Sequence, residues 1–388
     1  MQGIQNAKVA VKRACPRDGK HYFFGYYDLQ AFDSTGKFHL CHQTSFRNRL
    51  PEPDDRAVLG LADLNSGRFE PLAETSAFNF QQGALLQWHP TNGNEICYNI
   101  RQGSGFAGVV ENLSSGRKRL VERAPACISA DGKLGLGINF SRLFDFRPGY
   151  GYSGVADPYA NEAAPKEDGI FRIDMETGES RLLISYAELA GLFGLEKNEK
   201  VVINHITFAP KGHRFMFLLR TFPRAGKSWG TLLGAMDADG GGFCKLSGRT
   251  MISHYHWRDE KTLLMYAELS SGRGLLLVDG ETGENIRHPA QWIKSDIHCL
   301  YSPDRKYILG DGYPDKNGYR PLFWMKADTG EGGVLLEARS QMFMDGHNAV
   351  DSRCDLHARW NRTGTAISFD STHESETGLY WAEIDGVL

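Results

Sequence analysis

The stretch Asp355-Leu-His-Ala-Arg-Trp360 is one copy of a pattern that recurs through the second half of the chain. In each copy a histidine stands three residues before an aromatic residue, and a short turn and an apolar run follow. The four histidines are His205, His254, His298 and His357. Structural repeats arranged in a ring bring equivalent side chains to a common centre. The pattern therefore predicts a functional site where these histidines meet.

Turn signals punctuate the whole chain at similar intervals. Turns such as Pro210-Lys-Gly212 alternate with turns such as Glu281-Thr-Gly283, and seven of each kind occur. Between them lie runs rich in β-branched and aromatic residues, such as Ala366-Ile-Ser-Phe369, which favour strands. Four-stranded units repeated every ~40–50 residues are typical of a β-propeller.

We therefore predict an all-β fold, with a single seven-bladed β-propeller domain over residues 1–388. The predicted blades are 28–76, 82–123, 124–185, 204–248, 252–292, 296–340 and 355–388. The last blade is one strand short, and the alternating segment 7–12 has no partner of its own. This N-terminal strand is expected to close the ring, because the last blade would otherwise keep an open edge. One short helix is expected over 186–195.

The composition excludes several classes of function. A formal net charge of -3 is not the basic surface that nucleic-acid binding requires. The N-terminus has no apolar signal-peptide core and no apolar run is long enough to span a bilayer, so a cytoplasmic protein without membrane partners is expected. Seven cysteines without a C-x-x-C pair favour reduced thiols. The sequence leaves the oligomeric state open.

Aspartates stand two residues before two of the histidines, Asp296 before His298 and Asp355 before His357. Residues two apart on a strand share a face, so each pair is expected on one side. Imidazoles with one or two carboxylates form a mixed site suited to Mn²⁺, Zn²⁺, Fe²⁺ or Ni²⁺. Two alternatives stay open: each aspartate orients its histidine as an outer partner, or the histidines only bridge neighbouring blades by hydrogen bonds.

Longer stretches around the last three histidines carry a resemblance to a known family. They are Ser253-His-Tyr-His-Trp257, Ile297-His-Cys-Leu-Tyr-Ser-Pro-Asp304 with Leu309-Gly-Asp-Gly312, and Asp355-Leu-His-Ala-Arg-Trp360 with Ser368-Phe-Asp-Ser371. These stretches resemble the oligogalacturonate lyases of polysaccharide lyase family 22, whose fold is of the TolB and WD40 propeller type. The resemblance covers predicted blades four to seven, whereas the first half of the chain shares only the repeat layout.

That resemblance implies a propeller that holds a divalent metal, usually Mn²⁺, and cleaves short pectic fragments by β-elimination. It implies that His298 and His357 are metal ligands and that His254 is the catalytic histidine. Asp355 stands where the family has a third metal histidine, and its carboxylate remains a candidate ligand. Leu232 stands where the family has an arginine, which puts a pectic substrate in question.

β-Elimination beside a carboxylate requires a cation, a base and a proton donor for the leaving oxygen. A metal, a histidine and a tyrosine meet these requirements. The candidate catalytic residues are His254, His205, Arg220 and Tyr27, and Arg220 or Arg224 is the nearest substitute for the arginine absent at Leu232. The candidate substrate contacts are Tyr26, Asp28, Gln81, Gln82, Arg224, Tyr150 and Tyr152.

The resulting hypothesis is a metal-assisted lyase that acts on a small acidic oligosaccharide containing a uronate. Its cofactor is expected to be Mn²⁺, with Zn²⁺, Fe²⁺ and Ni²⁺ as alternatives. Two other functions stay open: a non-catalytic propeller that binds a protein, and a propeller glycoside hydrolase with paired carboxylates. A lyase predicts polar residues gathered at one mouth of the propeller, whereas a protein-binding propeller predicts an exposed apolar or charged face.

Overall fold

Alternating apolar residues and tight turns place most of the chain in antiparallel hairpins. A computed structural model describes residues 3–223, 229–340 and 353–387. The strands form seven antiparallel sheets, and the chain is a seven-bladed β-propeller, which confirms the fold predicted from the turn pattern.

The strands of the first half are β1 (Ile4–Gln5), β2 (Lys12–Arg13), β3 (His21–Phe23), β4 (Phe38–Thr44), β5 (Ala57–Asp63), β6 (Phe69–Thr75), β7 (Gln87–His89), β8 (Asn92–Gln102), β9 (Gly105–Asn112), β10 (Lys118–Val121), β11 (Pro125–Ile128), β12 (Leu134–Gly137), β13 (Gly169–Asp174) and β14 (Ser180–Ser185). Those of the second half are β15 (Val201–Phe208), β16 (Arg214–Thr221), β17 (Gly230–Asp237), β18 (Cys244–Lys245), β19 (Ile252–Trp257), β20 (Thr262–Leu269), β21 (Gly272–Asp279), β22 (Asn285–Arg287), β23 (Ile297–Tyr301), β24 (Tyr307–Gly312), β25 (Tyr319–Lys326), β26 (Gly332–Arg339), β27 (Arg359–Trp360), β28 (Ala366–Glu374) and β29 (Glu376–Glu383).

Blades one to six each take four consecutive strands, beginning at β3, β7, β11, β15, β19 and β23, and the seventh takes β27 to β29. The chain forms two compact units. The first consists of Met1–Trp88, His254–His256 and His288–Leu388, and the second of His89–Ser253 and Trp257–Arg287. The single domain expected from the sequence stays a prediction.

The N-terminal segment supplies outer strands to two blades. In β2, Lys12 lies opposite Trp381 and Arg13 opposite Tyr380, so β2 is the fourth strand of blade seven. In β1, Ile4 lies opposite Ala338, so blade six has five strands. The predicted ring closure by an N-terminal strand is confirmed, and both blades are covered at edges that would otherwise expose unpaired backbone groups.

The first blade begins earlier than predicted. Its first strand is β3 at residues 21–23 rather than a strand beginning at 28. The backbone after β3 turns away because the N–H groups of Phe24 and Gly25 both donate to the Asp370 carboxylate, at 3.2 Å. Arg359 also donates to this carboxylate, at 3.0 Å. A buried ion pair of blade seven therefore fixes the path of the segment that follows β3.

Apolar side chains fill the space between neighbouring sheets. Leu309 and Leu336 of blade six pack with Ile367 and Phe369 of blade seven in one buried cluster. Every residue of β28 except Glu374 is buried, so both faces of this strand are covered. All seven cysteines lie in the described ranges and are free thiols, which confirms the prediction from their number and spacing.

Two helices interrupt the strands, α1 (Phe140–Phe146) and α2 (Tyr186–Phe193). The second confirms the helix predicted over 186–195. Ser185 and Glu188 form a capping box at its start, and Gly194, with φ of 69°, ends it in the left-handed conformation. Among the described helices, none is long and apolar enough to cross a membrane.

Two arginines near the N-terminus form ion pairs that attach the closing strand to blade seven. Arg13 contacts Glu374 at 2.9 Å and Glu376 at 3.3 Å, and its side chain is 6% exposed. Arg17 contacts the same Glu374 at 2.7 Å but is 66% exposed.

We expect Arg13→Gln to lower the free energy of unfolding by about 2 kcal/mol. This is less than the cost of breaking a fully buried pair, since both glutamates are partly exposed. Arg17→Gln is the matched control and should cost less than about 1 kcal/mol. Urea unfolding followed by circular dichroism measures both. Equal effects of the two changes would contradict this account of the closing strand.

Candidate functional site

Three of the four histidines lie ring against ring. His254 lies in β19, His298 in β23, and His357 two residues before β27, so consecutive blades supply them. The ring centroids of His254 and His298 are 3.9 Å apart, and those of His298 and His357 are 4.4 Å apart. All three side chains are buried. The recurring position of the sequence pattern therefore brings these residues together in space.

His298 is oriented by a carboxylate that the sequence analysis did not select. Its Nδ1 donates to Oδ2 of Asp311 at 3.1 Å, and the two residues lie opposite each other in the ladder between β23 and β24. Oδ1 of Asp311 accepts the backbone N–H of Ala358 at 3.3 Å. The bond at Nδ1 leaves Nε2 of His298 as an acceptor, and this atom is buried with no hydrogen-bond partner among the described residues.

His357 has an unusual backbone conformation. Its φ is 44°, in the left-handed region that non-glycine residues rarely adopt. Burial, with nearby His298, holds the pKa of His357 well below its ordinary value, so the ring is neutral. Its Nε2 is also buried without a partner in the described part of the chain. Strained backbone of this kind persists where the surrounding structure fixes it, and it is concentrated at functional sites.

Asp355 completes a group of three candidate metal ligands. Ligand atoms of His298, Asp355 and His357 all lie within 4.8 Å of one another. Both oxygens of Asp355 accept Nε of Arg353, at 2.9 and 2.8 Å, and Oδ1 also contacts Nη1 of Arg320 at 2.7 Å. Burial alone would raise the pKa of Asp355, but the two guanidinium groups hold it well below its ordinary value. The carboxylate is therefore ionised.

Asp355 and His357 lie in one group, as the spacing predicts, but the pairing of Asp296 with His298 is wrong. Asp296 accepts a hydrogen bond from Nδ1 of His254, at 3.0 Å, rather than from His298. His298 instead bonds Asp311 across the ladder. Asp296 precedes β23 and lies outside that ladder, so its side chain is not constrained to the face of His298. The alternative in which an aspartate orients a histidine fits Asp296, but the histidine belongs to the preceding blade.

Burial sets the protonation of His254. It lowers the pKa of His254 from its ordinary value, and the nearby Asp296 carboxylate only partly opposes this. A neutral imidazole whose Nδ1 donates to a carboxylate presents Nε2 as a base.

Tyr313 is a second residue that the sequence analysis missed. It directly follows β24 and is 36% exposed. Its hydroxyl donates to Oδ2 of Asp296 at 3.3 Å and accepts Nη2 of Arg353 at 3.4 Å. Arg353 and Arg320 lie over its ring, at 5.0 and 5.7 Å from the centroid. The one available signal was its position next to the Leu309–Gly312 stretch that the family resemblance includes.

Tyr26 and Tyr27 form a buried wall beside the histidines. The ring of Tyr26 is 5.3 Å from that of His357, and the ring of Tyr27 is 5.3 Å from that of His298. The Tyr27 hydroxyl donates to the backbone oxygen of Tyr255 at 2.8 Å. Burial raises the pKa of Tyr27 well above its ordinary value. Its hydroxyl hydrogen is thus held by the backbone, an arrangement that does not offer it to a leaving group.

Three further residues that were predicted to contact substrate, Gln81, Gln82 and Asp28, belong to the first unit. Gln81 donates through Nε2 to the backbone oxygen of Arg353 at 3.0 Å, and it therefore supports the residue that binds Asp355. Gln82 is buried beside it. Asp28 instead lines a separate cavity of about 300 Å³ that also includes Arg305 and Arg362. Burial raises the pKa of Asp28 to about 6.

The other predicted residues belong to the second unit. His205 packs edge-on against Tyr150, with ring centroids 5.4 Å apart. Tyr152 stacks on Phe140 at 4.3 Å, and its hydroxyl accepts Nδ2 of Asn99 at 3.0 Å. Both tyrosines are fully buried.

Arg220 is also buried in the second unit. It donates to Oδ1 of Asn204, to the Thr231 hydroxyl and to the backbone oxygen of Ile252. Leu232 is buried next to Thr231 on β17. Arg224 lies outside the described residues.

The donor atoms fit a divalent cation. Two buried imidazole Nε2 atoms without a partner in the described ranges and one ionised carboxylate are ligands that Mn²⁺ and Zn²⁺ accept. Asp311 accepts a hydrogen bond from Nδ1 of His298. Metal-binding histidines commonly donate their second ring N–H to a carboxylate in this way. Next to these ligands lie the neutral imidazole of His254 and the partly exposed side chain of Tyr313. The arrangement can bind an anion beside a cation and remove a proton from it.

Comparison with solved structures identifies proteins of the same fold. The chain is similar to an oligogalacturonate lyase in complex with manganese, at 16% sequence identity and a TM-score of 0.68 over 99% of this chain and 95% of that chain. An oligogalacturonate lyase from Vibrio parahaemolyticus is 13% identical, with a TM-score of 0.67 over 99% of this chain and 96% of that chain.

The β-propeller domain of the Trilobed protease from Pyrococcus furiosus is 12% identical, with a TM-score of 0.52 over 94% of both chains. At these identities the likeness shows the fold alone, and the same fold serves proteins of different activity. In sequence, the chain matches no protein-family model and no curated protein.

A metal-binding measurement tests the role of His298 and His357 as ligands. His298→Ala and His357→Ala should each abolish tight binding of Mn²⁺ or Zn²⁺, because each removes one of three ligands. Asp311→Asn should weaken binding by ~10–100-fold, since it leaves all three ligands in place and changes only a group that positions His298 and the turn carrying His357. Isothermal titration calorimetry and metal analysis of protein purified without chelator measure this.

The exposed His213 supplies the control, and His213→Ala should bind metal like the wild type. A wild-type protein that binds neither ion more tightly than about millimolar would contradict the metal assignment.

Proposed function

We propose that this protein is a metal-assisted lyase that cleaves a uronate-containing oligosaccharide by β-elimination. The observation that carries the proposal is the contact between His254, which has its own carboxylate, and the group of His298, Asp355 and His357. A base and a cation site are thereby adjacent. The fold shared with an oligogalacturonate lyase in complex with manganese supports this assignment.

His254 is the proposed base. Its lowered pKa keeps the imidazole neutral at neutral pH. Asp296 fixes the tautomer through Nδ1 and stabilises the positive charge that forms when Nε2 takes the proton next to the uronate carboxylate. The C–H electrons then form the double bond.

A divalent cation, with Mn²⁺ proposed first, would be held by Nε2 of His298, Nε2 of His357 and an oxygen of Asp355. When bound, it supplies positive charge that acidifies the proton next to a carboxylate. Arg353 and Arg320 add positive charge at the same place, where they contact Asp355. Nε and Nη2 of Arg320 are buried without partners among the described residues. We propose that these two arginines, rather than Arg220, compensate for the arginine absent at Leu232.

Tyr313 is the proposed donor to the leaving oxygen. As the C–O bond breaks, the Tyr313 hydroxyl gives its proton to the departing sugar oxygen, and solvent restores the proton because the side chain is exposed. Its contacts of 3.3 and 3.4 Å are long, so an incoming oxygen can replace them. This role was predicted for Tyr27, whose hydroxyl is held by the backbone of Tyr255.

The elimination itself provides the first test. Incubation with a panel of uronate oligosaccharides, oligogalacturonate included, should give an unsaturated product that absorbs in the near ultraviolet. His254→Ala should lower kcat by ~10²–10⁴-fold, the usual cost of losing a positioned base. Asp296→Asn should give a smaller loss, and His213→Ala none.

Two outcomes of this assay would reject the lyase. New reducing ends without a double bond would identify a hydrolase. No turnover of any uronate, with or without added Mn²⁺, would favour a propeller that only binds.

The second test concerns the proton donor. Tyr313→Phe keeps the ring over Arg353 but removes the hydroxyl, so kcat should fall by about 10²-fold. The loss should shrink on a substrate whose leaving group departs without a proton. Tyr319→Phe, on the neighbouring strand of the same blade, is the matched control. A higher KM with unchanged kcat would show that Tyr313 only binds substrate.

A further inference from the structure

A second cavity opens at the same end of blade six as Tyr313. It has a volume of about 600 Å³, within the range of small-molecule binding sites. Its walls are the β24–β25 turn, which includes Lys316, the end of β26 with Arg339 and Ser340, and the end of β28 with His373. The turn that forms one wall begins immediately after Tyr313.

His373 gives this cavity a hydrogen-bond acceptor. Its side chain is only 8% exposed, and Nδ1 lies 2.9 Å from the Ser371 hydroxyl. The Ser371 hydroxyl donates to the backbone oxygen of Arg339, at 3.5 Å, so its oxygen accepts the proton of Nδ1. Nε2 therefore carries a lone pair, and it has no partner within the described ranges. Burial lowers the pKa of His373 to about 4, which keeps the ring neutral. A ligand hydroxyl would satisfy this buried atom.

Two cationic side chains stand at the rim. Lys316 and Arg339 are exposed, and neither forms an ion pair with any described residue. Asp315 is the one acidic residue among those that line the cavity, and its Oδ1 accepts the backbone N–H groups of Asn317 and Tyr319 within the turn. The cavity is therefore positive at its rim and has a neutral acceptor in its wall. These features fit a ligand with a carboxylate and a hydroxyl group.

We propose that this cavity is a further subsite, which binds an acidic sugar residue of the oligosaccharide beyond the two that the cleaved bond joins. The inference rests on the proposed function, because the turn that forms one wall of the cavity begins immediately after Tyr313, the proposed proton donor. Lys316 and Arg339 bind the carboxylate of this sugar, and Nε2 of His373 accepts a hydrogen bond from one of its hydroxyl groups. The subsite gives longer acidic substrates an advantage over shorter ones.

The experiment compares an acidic trisaccharide with the disaccharide of the same uronate. In the wild type, kcat/KM should be higher for the trisaccharide. The double variant Lys316→Gln/Arg339→Gln should lower the ratio of the two kcat/KM values by about 10-fold, since it removes charge-assisted contacts to one sugar. Both positions are exposed, so the fold should be retained. Lys306→Gln, in the β23–β24 turn at the other end of the blade, should keep the wild-type ratio.

A binding measurement separates this inference from the lyase itself. Calorimetry with the trisaccharide and the His254→Ala variant, which leaves the ligand intact, should show about 10-fold weaker binding when Lys316→Gln and Arg339→Gln are added. His373→Gln should also weaken binding of the trisaccharide. Unchanged affinity and an unchanged ratio would overturn the subsite even if elimination is observed. Weaker trisaccharide binding without elimination by the wild type would support the subsite and reject the lyase.

Discussion

The histidine site depends on one buried carboxylate, Asp311. Its two oxygens hold Nδ1 of His298 and the backbone N–H of Ala358, so one side chain of β24 fixes a histidine of blade six and the turn that carries His357. A buried carboxylate is stable only when it accepts such bonds, because desolvation of the charge is otherwise expensive. The same requirement that stabilises Asp311 places the rings of His298 and His357 side by side.

Charge balance explains the surroundings of Asp355. A buried, ionised aspartate needs positive partners, and Arg320 and Arg353 supply them. Their guanidinium groups also pack against the face of the Tyr313 ring, and Tyr313 is exposed. Compensation of one buried charge thereby places two buried guanidinium groups next to an exposed aromatic ring.

The fold is shared with oligogalacturonate lyases at 13 to 16% identity. The resemblance in sequence implies that Asp355 stands where that family has a metal histidine and that Leu232 stands where it has an arginine. Apolar packing between sheets tolerates many exchanges of similar volume, but ligand sets and buried charges do not.

The sequence by itself determined the class of the fold, the number of blades, the closing N-terminal strand, the helix near 186–195 and the reduced cysteines. Each of these follows from local patterns of turns, alternation and spacing. It also singled out His254, His298 and His357, since a repeated position becomes a shared location in a propeller. Only the tertiary structure decided that Asp296 bonds His254, that Asp311 bonds His298, and that Arg353 and Arg320 contact Asp355. It also decided that Tyr313 is exposed, whereas the Tyr27 hydroxyl is held by the backbone of Tyr255. These pairings join different strands and blades, and residue spacing along one strand carries no information about which side chain of another strand will face it.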